Sequence, residues 1–441
     1  MAIGSQQQQI VVTAVLATTG QHLATVPCKV GDTVAALRQA IEIKTLEDML
    51  LKLCCDSSAE PISEDSHGFR ETLRLLYEGR VLRGAETLLA VGIEHGTTVL
   101  VLRSPAPWLI TASADGTARL WSCTTGECIR ELAGHSADVG NAASSPDGEL
   151  VVTGSRDGTA RLWSAVSGRS LWTLSGHGAA IFDAAFSPRG HQVVTASQDG
   201  TARLWSTASG LCCATLSGHR GALFSACFSP DGALVATASF DATARLWNTA
   251  SGLCTWTLLG HFDVVYATAF SPDGTRLATA SRDTTARLWC ITSGECLSTL
   301  AGHKDSLYSV AFAPCSGLLV TASFDGTAKL WDTDSRCLLR TLEGHNAAVY
   351  CAAFSPDGDV ILTASRDSTA RIWSTSTGHC LHQLAGHRAL VYSACFSADG
   401  EFVATASGDR CARLWSRASG ECLQSFEGHS SVVGCAAFSP T

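Results

Sequence analysis

The sequence predicts an all-β chain of repeated four-stranded units behind a small α+β domain, and three observations carry that expectation. Tryptophans recur every 42 residues, from Trp121 through Trp163, Trp205 and Trp247 to Trp415. Gly-His pairs recur at the same interval, their histidines running from His135 to His429. Between each His and the next Trp lies a stretch of the form T-A-S-x-D-x-T-A-R-L-W, varied only slightly. Self-similarity at a fixed period of this length marks a repeat architecture.

Turn chemistry divides each period. One turn is Ser-Pro-Asp-Gly, as at Pro230-Asp231-Gly232. A second is Asp-Gly, at Asp115-Gly116, Asp157-Gly158, Asp199-Gly200 and Asp325-Gly326. A third places Gly five residues after the Trp, at Gly126, Gly210 and Gly420. Asp-Gly supplies the positive φ of a tight hairpin, and Gly and Pro punctuate the rest. Three turns in 42 residues leave room for four strands and none for a helix.

With these motifs in place, residues 108–441 resemble the WD-repeat β-propeller family, whose blades are four-stranded sheets around a central channel. The second residue of the Trp-Asp pair is usually Ser here, and only Trp331-Asp332 is literal. Strand counting predicts eight blades. The repeats begin at what looks like a second strand, Leu109–Ser113, and end with a first strand, Val432–Ser439, so the C-terminal strand is expected to complete the N-terminal blade. The resemblance also implies a buried structural tetrad in each blade: His135, Ser155, Asp157 and Trp163, or His219, Ser239, Asp241 and Trp247. Ser113, Asp115 and Trp121 have no upstream His and are expected to take His429.

Ser, His and Asp in every repeat imitate a hydrolase triad, but an enzyme needs one site with an oxyanion hole and a cleft. Equivalent copies in every blade argue against catalysis, so no enzyme is expected. Cys128, Cys212, Cys254, Cys296, Cys380 and Cys422 each follow a repeat Trp by seven residues. They are read as half-buried small residues that diverge radially, because zinc requires ligands about 2.3 Å from one ion. No metal and no cofactor are expected.

Residues 10–103 have another texture, after a flexible tail at 1–9. A hairpin is expected from Ile10–Ala17 and His22–Pro27, then a helix capped by Asp32 and carrying Val34, Leu37 and Ile41 on one face. A second helical stretch at Leu46–Leu53 precedes strands at Leu73–Tyr77 and Thr97–Leu102. The stretch Arg74-Leu75-Leu76-Tyr77-Glu78-Gly79-Arg80-Val81-Leu82, with Leu100-Val101-Leu102-Arg103, is similar to the second half of ubiquitin. The domain is therefore expected to be ubiquitin-like, with an insertion at about 44–69 and a linker at 104–107. No Gly-Gly follows Arg103, which argues against conjugation. Leu76 and Val101 match positions of the ubiquitin binding patch, with Val99 beside them; packing against the propeller or the insertion is the alternative.

A partner-binding surface is expected where loops cluster. Five residues after the repeat His, six consecutive blades carry Phe182, Phe224, Tyr266, Tyr308, Tyr350 and Tyr392, while Gly140 and Gly434 fall at the seam. Before the tetrad Asp stand Arg156, Phe240, Arg282, Phe324 and Arg366, with Ala114, Gln198 and Gly408 in the other blades. Aromatics with interspersed Arg have the composition of a protein-recognition hot spot. An aromatic copied by duplication to fill space between blades is the alternative.

The chain has 441 residues, 46% apolar, and a formal net charge of −9. That balance excludes a disordered chain and gives no basic footprint for nucleic acid. Apolar runs are strand-sized, so no membrane span is expected. Nineteen cysteines without an export signal are read as reduced thiols in the cytoplasm or nucleus. The function expected is a non-catalytic scaffold binding other proteins, a monomer within a larger complex. Resemblance supplies three narrower readings: a notchless-type ribosome-assembly factor, an outer-arm dynein assembly adaptor of cilia, or a ubiquitin-pathway substrate receptor.

Overall fold

In the computed structural model, residues 9–16, 22–29, 36–37, 39–41, 71–77, 80–81, 98–105, 107–315 and 317–440 are described. The chain divides into two compact units, residues 1–106 and 107–440.

The first unit holds one five-stranded sheet. Its strands are β1 (Gln9–Leu16), β2 (His22–Lys29), β3 (Glu71–Tyr77), β4 (Arg80–Val81) and β5 (Thr98–Pro105), in the order β2-β1-β5-β3-β4. β1 and β5 run parallel, and the other pairs are antiparallel. Residues 36–37 and 39–41 are helical, and Leu37 and Ile41, one turn apart, are both buried, as are Val12, Ala14 and Val26. Asp32, Val34, the second helical stretch and the insertion at 44–69 lie outside the described residues.

The second unit is all β. β6 (Trp108–Ser113), β7 (Thr117–Ser122) and β8 (Cys128–Ala133) are followed by β9–β36, which form seven four-stranded antiparallel sheets. These are blades I (Val139–Leu174), II (Ile181–Leu216), III (Leu223–Leu258), IV (Val265–Ala301), V (Leu307–Leu342), VI (Val349–Ala385) and VII (Val391–Phe426). The last strand, β37 (Val433–Phe438), pairs antiparallel with β6, so blade VIII has the order β37-β6-β7-β8. The first strands of successive blades contact one another around the ring, and β37 contacts the first strand of blade I. Eight blades with this closure agree with the strand count. Closure leaves no inner sheet edge exposed.

The core lies between neighbouring blades. Leu204 and Leu216 of blade II pack with Leu223, Val235 and Trp247 of blade III, and the seam repeats the arrangement, with Leu414 and Phe426 against Leu109, Trp121 and Val433. The second strand of each blade is buried on both faces, whereas outer strands are mostly exposed. Gly of the Gly-His pair sits at φ +151 at position 218, and a Cβ there would lie 2.5 Å from Nη1 of Arg245. That guanidinium lies over Trp247, 5.9 Å from its ring centroid. Only glycine accepts both the dihedral and the close Arg.

Candidate partner-binding face

A polar chain in each blade fixes the loops of one face. In blade I, Trp163 Nε1–H donates to Thr153 Oγ1 at 2.9 Å, Thr153 meets His135 Nε2 at 2.8 Å, and His135 Nδ1 meets Asp157 Oδ2 at 2.9 Å. A neutral imidazole protonated at Nδ1 satisfies every link: Trp donates, Thr accepts and donates, His accepts and donates, and Asp accepts. Asp157 also accepts from the Ser136 N–H, the Thr159 N–H and the Thr159 hydroxyl. Burial pushes the Asp157 carboxyl up, but these hydrogen bonds outweigh it and hold the group at about 2. Burial lowers the pKa of His135, partly offset by Asp157. Such a satisfied network rigidifies the turn it ties down.

The member joining His to Trp is thus Thr153, not Ser155. Ser155 donates to the Ala137 carbonyl and accepts from the Asp157 N–H, bracing the turn. Thr237 and Ser239 divide these roles in the same way with His219, Asp241 and Trp247. Across the seam, His429 Nδ1 lies 2.8 Å from Asp115 Oδ2 and its Nε2 2.8 Å from Thr111 Oγ1, which accepts from Trp121 Nε1–H at 2.8 Å. Ser113 donates to the Ser431 carbonyl.

Each first strand bulges where it leaves this turn. The pairing skips Phe182 between Ile181 and Asp183, and Phe224, Tyr266, Tyr308, Tyr350 and Tyr392 are skipped in the same way. A bulge re-aims the extra residue out of the ladder. The six rings form a continuous series from blade II to blade VII. Centroids are 5.6 Å apart for Phe182 and Phe224, 5.3 Å for Phe224 and Tyr266, and 4.9 Å for Tyr266 and Tyr308. They are 5.6 Å apart for Tyr308 and Tyr350 and 6.0 Å for Tyr350 and Tyr392. Phe324 joins at 6.1 Å from Tyr308.

The residues before the tetrad Asp are more exposed. Phe240 is 57% exposed, and Arg156 and Arg282 pair loosely with Asp138 and Asp263 at 3.3 and 3.4 Å. Arg366 donates its backbone N–H to the Ala348 carbonyl. Phe262, which directly follows a tetrad His, is 90% exposed. The sequence reading missed it, although the residue after each His varies between blades and that column was legible. Asp183 and Asn141, hydrogen-bonded across two blades, were missed as well.

Cys128, Cys212, Cys254, Cys296, Cys380 and Cys422 are exposed, not half-buried, because the outer strand has no neighbour on its far side. No group of three or more His, Cys, Asp or Glu side chains among the described residues could hold a metal. In the first unit, the register pairs Leu76 with Leu100 and Leu75 with Val101. Leu76 therefore has the opposite strand parity from Val99 and Val101. The side chains of these three residues lie outside the described set.

The family described as WD domain, G-beta repeat matches nine stretches of the chain: residues 91–122, 126–164, 168–206, 210–248, 252–290, 294–332, 336–374, 378–416 and 420–441. The matches are cut after the tetrad strand, so the first and last each supply part of blade VIII. Nine matches and eight blades are therefore the same count. The first match begins inside the stretch assigned above to the N-terminal domain. No curated protein matches the chain.

Proposed function

The chain belongs to the WD domain, G-beta repeat family, and on that premise we propose that it is a non-catalytic scaffold that docks a protein partner on the aromatic face of its ring. Propellers of this family generally serve as protein-interaction scaffolds. The observation that carries the reading is the unbroken series of six rings on bulges, with Phe240 and Phe262 exposed next to the tetrad residues Asp241 and His261. Rings filling space between blades would be enclosed; five of these are half-buried and Tyr392 is exposed, and Arg156 and Arg282 add exposed guanidinium groups on the tetrad turns. Aromatic and Arg anchors dominate protein interfaces. Among the described residues no helix is long and apolar enough to cross a membrane, and the partner proposed is a protein rather than nucleic acid or lipid, met in the cytoplasm or nucleus.

The N-terminal unit is proposed as a second, ubiquitin-like docking module. Its support is the strand order β2-β1-β5-β3-β4 with a parallel β1–β5 pair and helical residues between β2 and β3. Val99 and Val101, with Leu76 on the other parity, are the residues to probe.

The test is the triple substitution Tyr266→Ala, Tyr308→Ala and Tyr350→Ala in the full chain. Loss of partner recovery with an unchanged far-ultraviolet spectrum supports the docking face. Undiminished recovery removes it.

A further inference from the structure

The aromatic series is interrupted once, and the interruption is built from different chemistry. At Gly434 and Gly140, adjacent across the seam, the bulge carries no ring. A Cβ on Gly140 would meet nothing within 4 Å, and one on Gly434 only the Gly140 carbonyl oxygen at 3.8 Å. The ends of the series that border this opening are Tyr392, 38% exposed, and Phe182.

In three blades the residue after the bulge links neighbouring inner strands. In six blades it is small and uncharged: Ser225, Ala267, Ser309, Cys351, Ser393 and Cys435. Ser309, Cys351 and Cys435 donate to the carbonyls of Ala352, Ala394 and Ala142 in the next blade. At the opening the same position holds Asn141 and Asp183. Asp183 Oδ1 accepts from Asn141 Nδ2–H at 3.0 Å, and its Oδ2 accepts from the Ala226 N–H at 3.0 Å. No Lys, Arg or His among the described residues forms an ion pair with Asp183, and burial pushes its carboxyl up to about 6 despite these hydrogen bonds and further ones from the Ser225 hydroxyl and the Ala184 N–H. Asn141 has spent its amide on Asp183, and its Oδ1 has no donor.

In blades V, VI and VIII a serine or cysteine performs the blade-to-blade link without an enclosed charge, and in blade IV Ala267 makes no such link. The carboxylate here carries a desolvation cost that the fold does not require, and it sits beside an acceptor left unmet. An incoming cation answers both.

We propose that the opening between Tyr392 and Phe182 receives one arginine side chain of the partner, its guanidinium pairing with Asp183. This rests on the docking-face reading and names the chemistry of the partner. A guanidinium presents five N–H donors in a planar fork, so it serves the carboxylate and the Asn141 oxygen together while lying against an aromatic ring. An ammonium is a compact point charge that lacks the fork and the flat face.

The experiment is calorimetric titration of the full chain with end-blocked Gly-Gly-Arg-Gly-Gly, and with the same peptide carrying citrulline or lysine in place of arginine. The arginine peptide is expected to bind at least tenfold more tightly than the citrulline peptide and several-fold more tightly than the lysine peptide. Asp183→Asn keeps the shape of the side chain, and Gly140→Phe fills the opening at a position with room for a side chain. Each is expected to weaken arginine binding at least tenfold without lowering the thermal midpoint of unfolding. Equal binding of the citrulline peptide, unchanged affinity in Asp183→Asn, or no binding of any peptide overturns the proposal. Equal binding of the lysine peptide overturns the guanidinium assignment. Failure of the peptide arms while partner recovery still depends on Tyr266, Tyr308 and Tyr350 removes the arginine slot and leaves the docking face standing. Recovery independent of those tyrosines removes the docking face, which the peptide titration does not read.

Discussion

The tetrad layer and the bulged layer of the first strands are built on the same repeat, yet they vary in opposite ways. From blade to blade the His–Thr distance is 2.8 Å in blades I, III and VII and at the seam, and the Trp–Thr distance stays at 2.8–2.9 Å. The first strands carry Phe, Tyr or Gly on their bulges and Asn, Asp, Ser, Ala or Cys directly after them. Duplication copies both layers equally. A half-satisfied buried network would cost each blade its turn, so the tetrad holds, while bulged residues outside the ladder are free to differ. Differences between blades therefore point to function.

The largest expected effect strikes the uniform layer in many blades at once. Burial holds His135, His177, His219, His345, His387 and His429 below the ordinary value of 6.5. A group whose folded pKa lies below its unfolded one contributes stability that is present above the unfolded value and lost as pH falls. Denaturant midpoints are therefore expected to fall from pH 7 through pH 6.5 downwards. A second decline begins near 3.8, as Asp115, Asp157, Asp199, Asp241 and Asp367 approach about 2. A midpoint that rises between pH 7 and 5 would break the comparison.

Next in size is His429→Ala, which leaves the Asp115 carboxylate and the Thr111 hydroxyl without their partner at the seam. Removing a neutral hydrogen-bond partner from buried polar groups costs about 2 kcal/mol, read by urea unfolding. Amide exchange is expected to rise first in β6–β8, the strands that β37 completes at the seam.

Smaller effects distinguish blades within the uniform layer. The residue after the tetrad Asp is Gly at 116, 158, 200 and 326, but Ala242, Thr284, Ser368 and Arg410 occupy the same left-handed conformation at φ 65, 70, 70 and 73. A side chain there costs about 1 kcal/mol. Ala242→Gly and Arg410→Gly should each raise stability by about that much, additively, because they lie in different blades. The smallest expected gain is in blade VII, where Cys411 replaces the threonine whose hydroxyl bonds the tetrad Asp elsewhere. Cys411→Thr restores that donor and should add about 0.5 kcal/mol.

Most of the ring was legible because a period of 42 residues and fixed turn residues leave little freedom: strands, blade number and seam all follow from spacing. Thr153 was not singled out over Ser155, because both stand on the same strand parity in the same motif and only the reach of the Trp163 side chain separates them. The bulges were equally hidden. An extra residue in the ladder has no composition of its own, so the aromatic column was visible while its projection from the sheet was not. Asp183 and Asn141 look unremarkable along the chain, and only strand pairing across two blades brings them together.

The most direct measurement sets two full-length variants side by side, reading thermal midpoint and partner recovery for each. The account predicts a crossed result. Tyr266→Ala with Tyr308→Ala and Tyr350→Ala keeps its midpoint within a few degrees and loses its partner, whereas His261→Ala, in the tetrad of the same blade as Tyr266, lowers the midpoint sharply. If the tyrosine variant recovers its partner in full, the separation of a structural layer from a recognition layer is contradicted.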